Sequence, residues 1–283
     1  MFDDSHKQIE ERALVFKADD GAELVGRLFM PSRAPFAAVV LNGATGVPQS
    51  YYAHFARWLA AERGMACLTY DYRDVGRSWS GPMAQSSADM TDWGTSDPLA
   101  ARRALARAVP DTPLWIIGHS LGAMMLPNQR DFTGVSRVIG VASGMVHHSD
   151  HPWPYRALAL MFWFGAGPLA TSLVGYMPGK RLRFGEDLPG GVYWQWRRWC
   201  TTRSFYAADL GARLPAPQWR QDIPVRLVSF SDDDLIPPHC VERLAREGYE
   251  GKAQVDVIEP DGPVGHLSMF ARRNAALWPK LLE

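Results

Sequence analysis

The sequence predicts an α/β fold: a mostly parallel, doubly wound sheet interrupted by an inserted, mainly helical segment. Three observations predict it. Short all-apolar runs at 37–42, 66–70, 114–118, 138–142 and 225–230 alternate with helical patterns, as buried parallel strands joined by crossover helices do. Two earlier strand-like runs, 13–17 and 23–30, flank Asp19-Asp20-Gly21, a hairpin turn that supplies an antiparallel edge. The alternation then stops between about residues 146 and 223, where the chain is rich in Trp, Gly, Pro and Arg. The expected organisation is a core of 1–145 and 224–283 around an aromatic-rich cap insertion, 146–223.

The remaining elements follow in order. A helical pattern spans 51–63, between the apolar runs 37–42 and 66–70. Asp97-Pro98 opens a helix running to about Val109, with Ser96 or Asp97 as cap and Pro98 in the first turn, where its missing N–H is not needed. A last strand is expected at 254–258 and helices at 238–247 and 269–282. The uncharged stretch 157–179 has the length of a membrane span. It contains Gly165, Gly167, Pro168, Gly175, Pro178 and Gly179, and reads better as two short buried or interfacial helices broken near Gly167-Pro168. Contact between this cap and a lipid interface is compatible with that reading; a span is not expected.

Composition narrows the function. With 283 residues, 47% of them hydrophobic, the chain is long enough to bury a sizeable core. Thirty basic and thirty acidic side chains balance, which argues against nucleic acid as a partner. Cys67, Cys200 and Cys240 fit no disulfide framework and no zinc spacing, and the polar N-terminus has no signal-peptide core, so a cytoplasmic protein is expected. Tryptophan is in excess. Six of eleven (Trp153, Trp163, Trp194, Trp196, Trp199 and Trp219) fall in the insertion. They either form a small core of their own or line an apolar pocket; Trp153, Trp163 and Trp196 are the candidate substrate contacts.

The strongest local signal is Gly118-His119-Ser120-Leu121-Gly122, a G-x-S-x-G motif directly after the apolar strand Leu-Trp-Ile-Ile. The serine of such a turn stands exposed on a sharp bend, and the glycines let neighbouring backbone pass. A serine hydroxyl needs a base, and the base needs an orienting group. Downstream, the run 225–230 ends in the carboxylates Asp232, Asp233 and Asp234, and Pro263-Val-Gly-His266 places a histidine in a loop before the final helix. His266 is the candidate base. His119 belongs to the turn itself and is a candidate either for the core or for the substrate face.

With these motifs the chain resembles the α/β-hydrolase superfamily over nearly its whole length. Tyr70-Asp-Tyr-Arg-Asp-Val-Gly-Arg-Ser78 resembles the family's D-x-R-G-x-G-x-S loop, with Asp74 where glycine is usual. Asp233-Asp-Leu-Ile-Pro237 resembles its acid motif, which singles out Asp233, and Gly265-His266 resembles its base motif. The resemblance implies a serine hydrolase of the capped esterase and lipase kind, near the serine aminopeptidase and monoglyceride lipase branch. Gly46-Val-Pro-Gln49 with Tyr51-Tyr52 also resembles a bacterial group known only as predicted hydrolases. It further implies a triad of Ser120, Asp233 and His266, with no cofactor. The oxyanion donors would be the Leu121 N–H and one from Asn42-Gly43-Ala44-Thr45-Gly46, where Asn42 replaces the usual histidine; Ala44 is the first choice and Thr45 the next.

The expected reaction is hydrolysis of a small or medium apolar carboxylic ester, lactone or thioester through an acyl-enzyme. Serine at the nucleophile position argues against the aspartate route to haloalkane or epoxide hydrolysis. Acyl transfer or perhydrolysis by the same triad, and a silent ligand-binding protein, are the alternatives. His147-His148-Ser-Asp150-His151 invites a metal reading, but adjacent histidines do not readily face one ion; they read as polar residues at the cap entry, with His148 a candidate substrate contact. The pairs Arg102-Arg103, Arg197-Arg198 and Arg272-Arg273 read as solvated helix faces.

Overall fold

A computed structural model describes residues 9–219 and 222–283; the polar N-terminal stretch read for a signal peptide lies outside the described residues. In chain order the strands are β1 (Glu10–Lys17), β2 (Glu23–Met30), β3 (Ala38–Asn42), β4 (Ala66–Tyr70), β5 (Leu114–His119), β6 (Val135–Val141), β7 (Tyr176–Met177), β8 (Leu188–Pro189), β9 (Val225–Phe230) and β10 (Ala253–Ile258). Eight form one sheet in the order β1-β2-β4-β3-β5-β6-β9-β10. Only β1–β2 and β2–β4 pair antiparallel, so the hairpin forms one edge of an otherwise parallel sheet.

The central strands are apolar on both faces because both faces are covered. Val40, Leu68, Ile116, Val138 and Leu227 point into one core, which takes in α2 (Asp97–Ala108) and α8 (Pro238–Glu247). Their neighbours Val39, Cys67, Ile117, Ile139 and Val228 point into the other, against α1 (Ala53–Arg63) and the C-terminal α9 (Trp278–Leu282). Gly64, in the left-handed region, ends α1. The chain runs from β3 to β4 on one side and returns to β5 on the other. That reversal leaves a crevice at the carboxyl ends of β3 and β5, where Asn42 sits beside Gly118.

Three local expectations are corrected. Ser96 is not a cap: helical geometry already runs through Asp92–Ser96, and the Asp97 carboxylate faces away to receive the Arg73 N–H at 2.9 Å and its guanidinium at 2.7 Å. The last helix is shorter than 269–282, because tight turns at Ser268–Phe270 and Arg272–Leu277 precede α9. Between β6 and β9 the chain forms α4 (Tyr155–Phe164), α5 (Ala166–Val174), the short α6 (Gly179–Leu182) and α7 (Gly190–Cys200), with β7 and β8 as a two-stranded ribbon. The break between α4 and α5 falls at Gly165; Gly167-Pro168 lie in the first turn of α5, where proline is tolerated.

Candidate active site

Ser120 occupies the turn from β5 into α3 (Leu121–Met124) with φ 54° and ψ −114°, a conformation a non-glycine residue adopts only under strain. Its surroundings hold it there. The Ser120 N–H donates to Val141 O at 2.9 Å, and Ser143 Oγ donates to the Ser120 carbonyl. The flanking glycines are steric necessities: a Cβ on Gly118 would stand 2.4 Å from Gly122 backbone, and one on Gly122 2.2 Å from Asn42 O.

The acid and base meet as a buried pair. Asp233 is 2% exposed; its Oδ2 lies 2.9 Å from His266 Nδ1, while Oδ1 accepts the Leu235 and Ile236 N–H groups at 2.9 and 2.8 Å. Asp233 and its neighbour Asp232 thus have separate work. Asp232 Oδ2 accepts the Val264 and Gly265 N–H groups at 2.8 and 2.9 Å and so shapes the turn that presents His266. Ser120 Oγ makes no hydrogen bond to His266; such contacts commonly tighten only when substrate is bound.

His119 is not a substrate contact. It is fully buried, and burial beside His266 brings its pKa down to about 3, so the ring is neutral. Its Nε2 lies 2.9 Å from His266 O, which can only accept, so Nε2 carries the proton. Nδ1 is then an acceptor, and Tyr52 Oη, 2.8 Å away, donates to it. Tyr52 Oη in turn accepts the Ala44 N–H at 2.8 Å. The relay Ala44 N–H, Tyr52 O–H, His119 N–H, His266 O=C ties the loop after β3 to the base loop. Tyr51 adds a second tie by donating to Leu267 O.

That relay bears on the two backbone N–H groups of the loop after β3 that are candidates for the oxyanion. The Ala44 N–H is already engaged by Tyr52, whereas the Thr45 N–H has no acceptor among the described residues. Leu121 stands at the start of α3, where first-turn N–H groups lack intrahelical acceptors. Asn42 supports the loop in the way its side chain allows: Nδ2 donates to Gly122 O at 3.0 Å, and Oδ1 accepts Tyr70 Oη at 2.9 Å. Gln49 joins the same loop to Asp71, whose carboxylate takes its backbone and side-chain N–H groups at 2.7 and 2.8 Å. Asp74 adopts the left-handed conformation, φ 63°, that glycine would take more easily; Ser86 Oγ, 2.6 Å from its carboxylate, helps hold it.

The other candidates scatter. Trp163 and Trp196 line an apolar cavity of about 130 Å³ with Tyr155, Phe162 and Leu235, whose own N–H holds Asp233. Trp153 does not reach it, being 67% exposed. His148 packs on His147 and Phe164 outside the cavity lining, with ring centroids 4.1 and 5.1 Å away. The histidine cluster faces separate protein partners: His147 Nδ1 meets Ser149 Oγ at 2.7 Å and His151 Nδ1 meets Asp234 O at 3.2 Å. The three cysteines are free and buried. Tyr52 and Asp232 are site residues that sequence reasoning missed; Tyr52 lay within a recognised motif but had no assigned part.

The chain is similar to known proteins in the same sense. Esterase FrsA of Pectobacterium atrosepticum is 33% identical over 109 residues, 38% of this chain and 23% of that protein, so the chain spans about a quarter of that relative. A thermostable carboxyl esterase from Bacillus coagulans superposes with a TM-score of 0.62 at 14% identity, over 96% of this chain and 95% of the other. A Pyrococcus furiosus esterase gives 0.57 at 12% identity over 96% and 90%, and a putative hydrolase from Agrobacterium vitis 0.60 at 16% over 98% and 100%. At such identities the likeness is one of fold. The model of the alpha/beta hydrolase family matches residues 38–278. This chain, with its strained serine turn at the switch point of an eight-stranded sheet, belongs to the α/β-hydrolase family.

Proposed function

We propose that the protein is a serine esterase acting on small or medium apolar carboxylic esters. The observation that carries this reading is the buried Asp233–His266 pair, 2.9 Å apart, delivered by the loops after β9 and β10 to the same carboxyl-end side of the sheet as the strained Ser120 turn after β5. In the reaction Ser120 Oγ attacks the ester carbonyl while His266 Nε2 takes its proton, and Asp233 stabilises the imidazolium. The Leu121 and Thr45 N–H groups receive the oxyanion. Collapse of the tetrahedral intermediate breaks the bond to the alcohol, which leaves with the proton from His266. Water, deprotonated by His266, then releases the acid and restores Ser120.

The segment 146–223 serves as the roof of this site. Its apolar cavity, lined by Trp163, Trp196 and Leu235, supports an apolar acyl or alkyl group. The names of the similar proteins above lend support to ester over amide substrates. The test is a panel of p-nitrophenyl esters of rising acyl length on wild type and Ser120→Ala. Turnover that peaks at short or medium chains and disappears in Ser120→Ala is the expected result. Equal turnover by the variant removes Ser120 from the mechanism, and no turnover by wild type favours the silent binding protein.

A further inference from the structure

The consecutive helices α4–α5 are apolar on the wrong side for a soluble element. Their inner residues, Ala159, Trp163 and Thr171, pack inward, while Met161 and Phe164 on α4 and Leu169 and Leu173 on α5 face out. Leu169 is 65% exposed and Leu173 76%. Over Tyr155–Val174 the mean hydropathy is 1.6, yet only 22% of the stretch is buried. Single exposed leucines are ordinary; a contiguous outward face of this kind marks a surface that something covers.

A straight membrane span is interrupted at Gly165, and Ala159, Trp163 and Thr171 on one side of the stretch are packed inward. The break at Gly165 leaves helices of 10 and 9 residues, about 15 Å each, half of a ~30 Å hydrocarbon core. A helix pair lying in the interface needs no such length. The charge pattern selects its partner. Segment 146–223 carries nine Lys and Arg against five Asp and Glu, in a chain that is neutral overall. Arg181 and Arg183, just beyond these helices in the chain, are exposed and have no ion pair among the described residues, whereas Glu186 is taken up by Lys180 at 2.6 Å. Arg197 lies over Phe164 and Trp194, 5.4 and 5.9 Å from the ring centroids. A two-fold contact between identical copies would bring this positive rim against itself. An anionic surface would meet it with opposite charge.

We propose that α4–α5 is an interfacial docking element that seats the protein on an anionic lipid surface, apolar face down and arginine rim against the headgroups. The test is sedimentation of the full chain with vesicles of phosphatidylcholine alone and with phosphatidylglycerol at one part in three, beside Leu169→Glu/Leu173→Glu and Arg181→Glu/Arg183→Glu. All four positions are exposed, so both variants are expected to keep the wild-type unfolding temperature. Binding to the anionic vesicles that falls at least about tenfold in the leucine variant and loses its salt dependence in the arginine variant is the predicted result. Absence of wild-type binding overturns the proposal, as does binding unchanged in the leucine variant. A concentration-dependent dimer, abolished by the leucine substitutions and present without lipid, overturns it too and assigns the face to a second copy.

Discussion

Replacing Tyr52 by Phe removes a single oxygen on which two buried groups depend. Tyr52 Oη accepts the Ala44 N–H and donates to His119 Nδ1, both at 2.8 Å, in a region closed to solvent. The substitution leaves the Ala44 N–H without its acceptor and His119 Nδ1 without its donor. A buried unpaired group costs about 1–3 kcal/mol, so two put the loss of stability at about 2–6 kcal/mol. The assay is guanidinium unfolding of Tyr52→Phe, His119→Leu and the double variant. If the groups act as one relay, His119→Leu already removes one of the orphans, and the double variant should be more stable than the sum predicts by over ~1 kcal/mol. The reaction should respond as well: with the loops on either side of Ser120 no longer tied, a fluorophosphonate should label Tyr52→Phe more slowly than wild type. Strict additivity, together with unchanged labelling, would refute the relay.

Four further outcomes follow from the same structure. Asp233→Asn, which can no longer stabilise the imidazolium, should lower ester turnover by about 10³–10⁴-fold with little change in KM, measured by steady-state kinetics. Arg73 and Asp97 form a buried pair, 2.7 Å apart, with Asp20 and Asp92 also facing the guanidinium; Asp97→Ala leaves the buried Arg73 backbone N–H without its acceptor and should cost about 1–3 kcal/mol in guanidinium unfolding. Gly122→Ala puts a methyl 2.2 Å from Asn42 O and should fail to give soluble folded protein, judged by circular dichroism. His119 sets part of the acid sensitivity. The unfolded ring takes up a proton as pH falls through its ordinary 6.5, but the folded one not until about 3. Its contribution to stability is therefore complete above pH 6.5 and declines by up to ~1.4 kcal/mol per pH unit between those values, a slope that His119→Leu should reduce in unfolding titrations.

The parts of this molecule legible in its sequence are those set by local rules. Apolar runs without alternation marked the central strands because both sheet faces are covered, and G-x-S-x-G marked the turn because no side chain fits at Gly118 or Gly122. Asp233 and His266 stood out because their loops resemble the family's acid and base motifs, and the two side chains meet at 2.9 Å. What escaped were properties of pairs distant in sequence. Nothing local tells that Tyr52 meets His119, 67 residues on, or that it claims the Ala44 N–H. The tryptophans split for a related reason. Composition located them in the insertion but could not say that Trp163 lines a cavity while Trp153 faces solvent. Likewise 157–179 showed its apolarity in the sequence, but which side of each helix is turned outward depends on how α7 packs beneath it.

The proposed chemistry requires Ser120 to be a nucleophile activated by His266 and Asp233. Intact-mass measurement after exposure to a fluorophosphonate tests it most directly, on wild type, Ser120→Ala and His266→Ala. A single adduct on wild type, mapped by peptide sequencing to Ser120, absent from Ser120→Ala and strongly slowed in His266→Ala, is the predicted result. An unmodified wild-type protein that is otherwise folded, or an adduct of equal rate on Ser120→Ala, contradicts it.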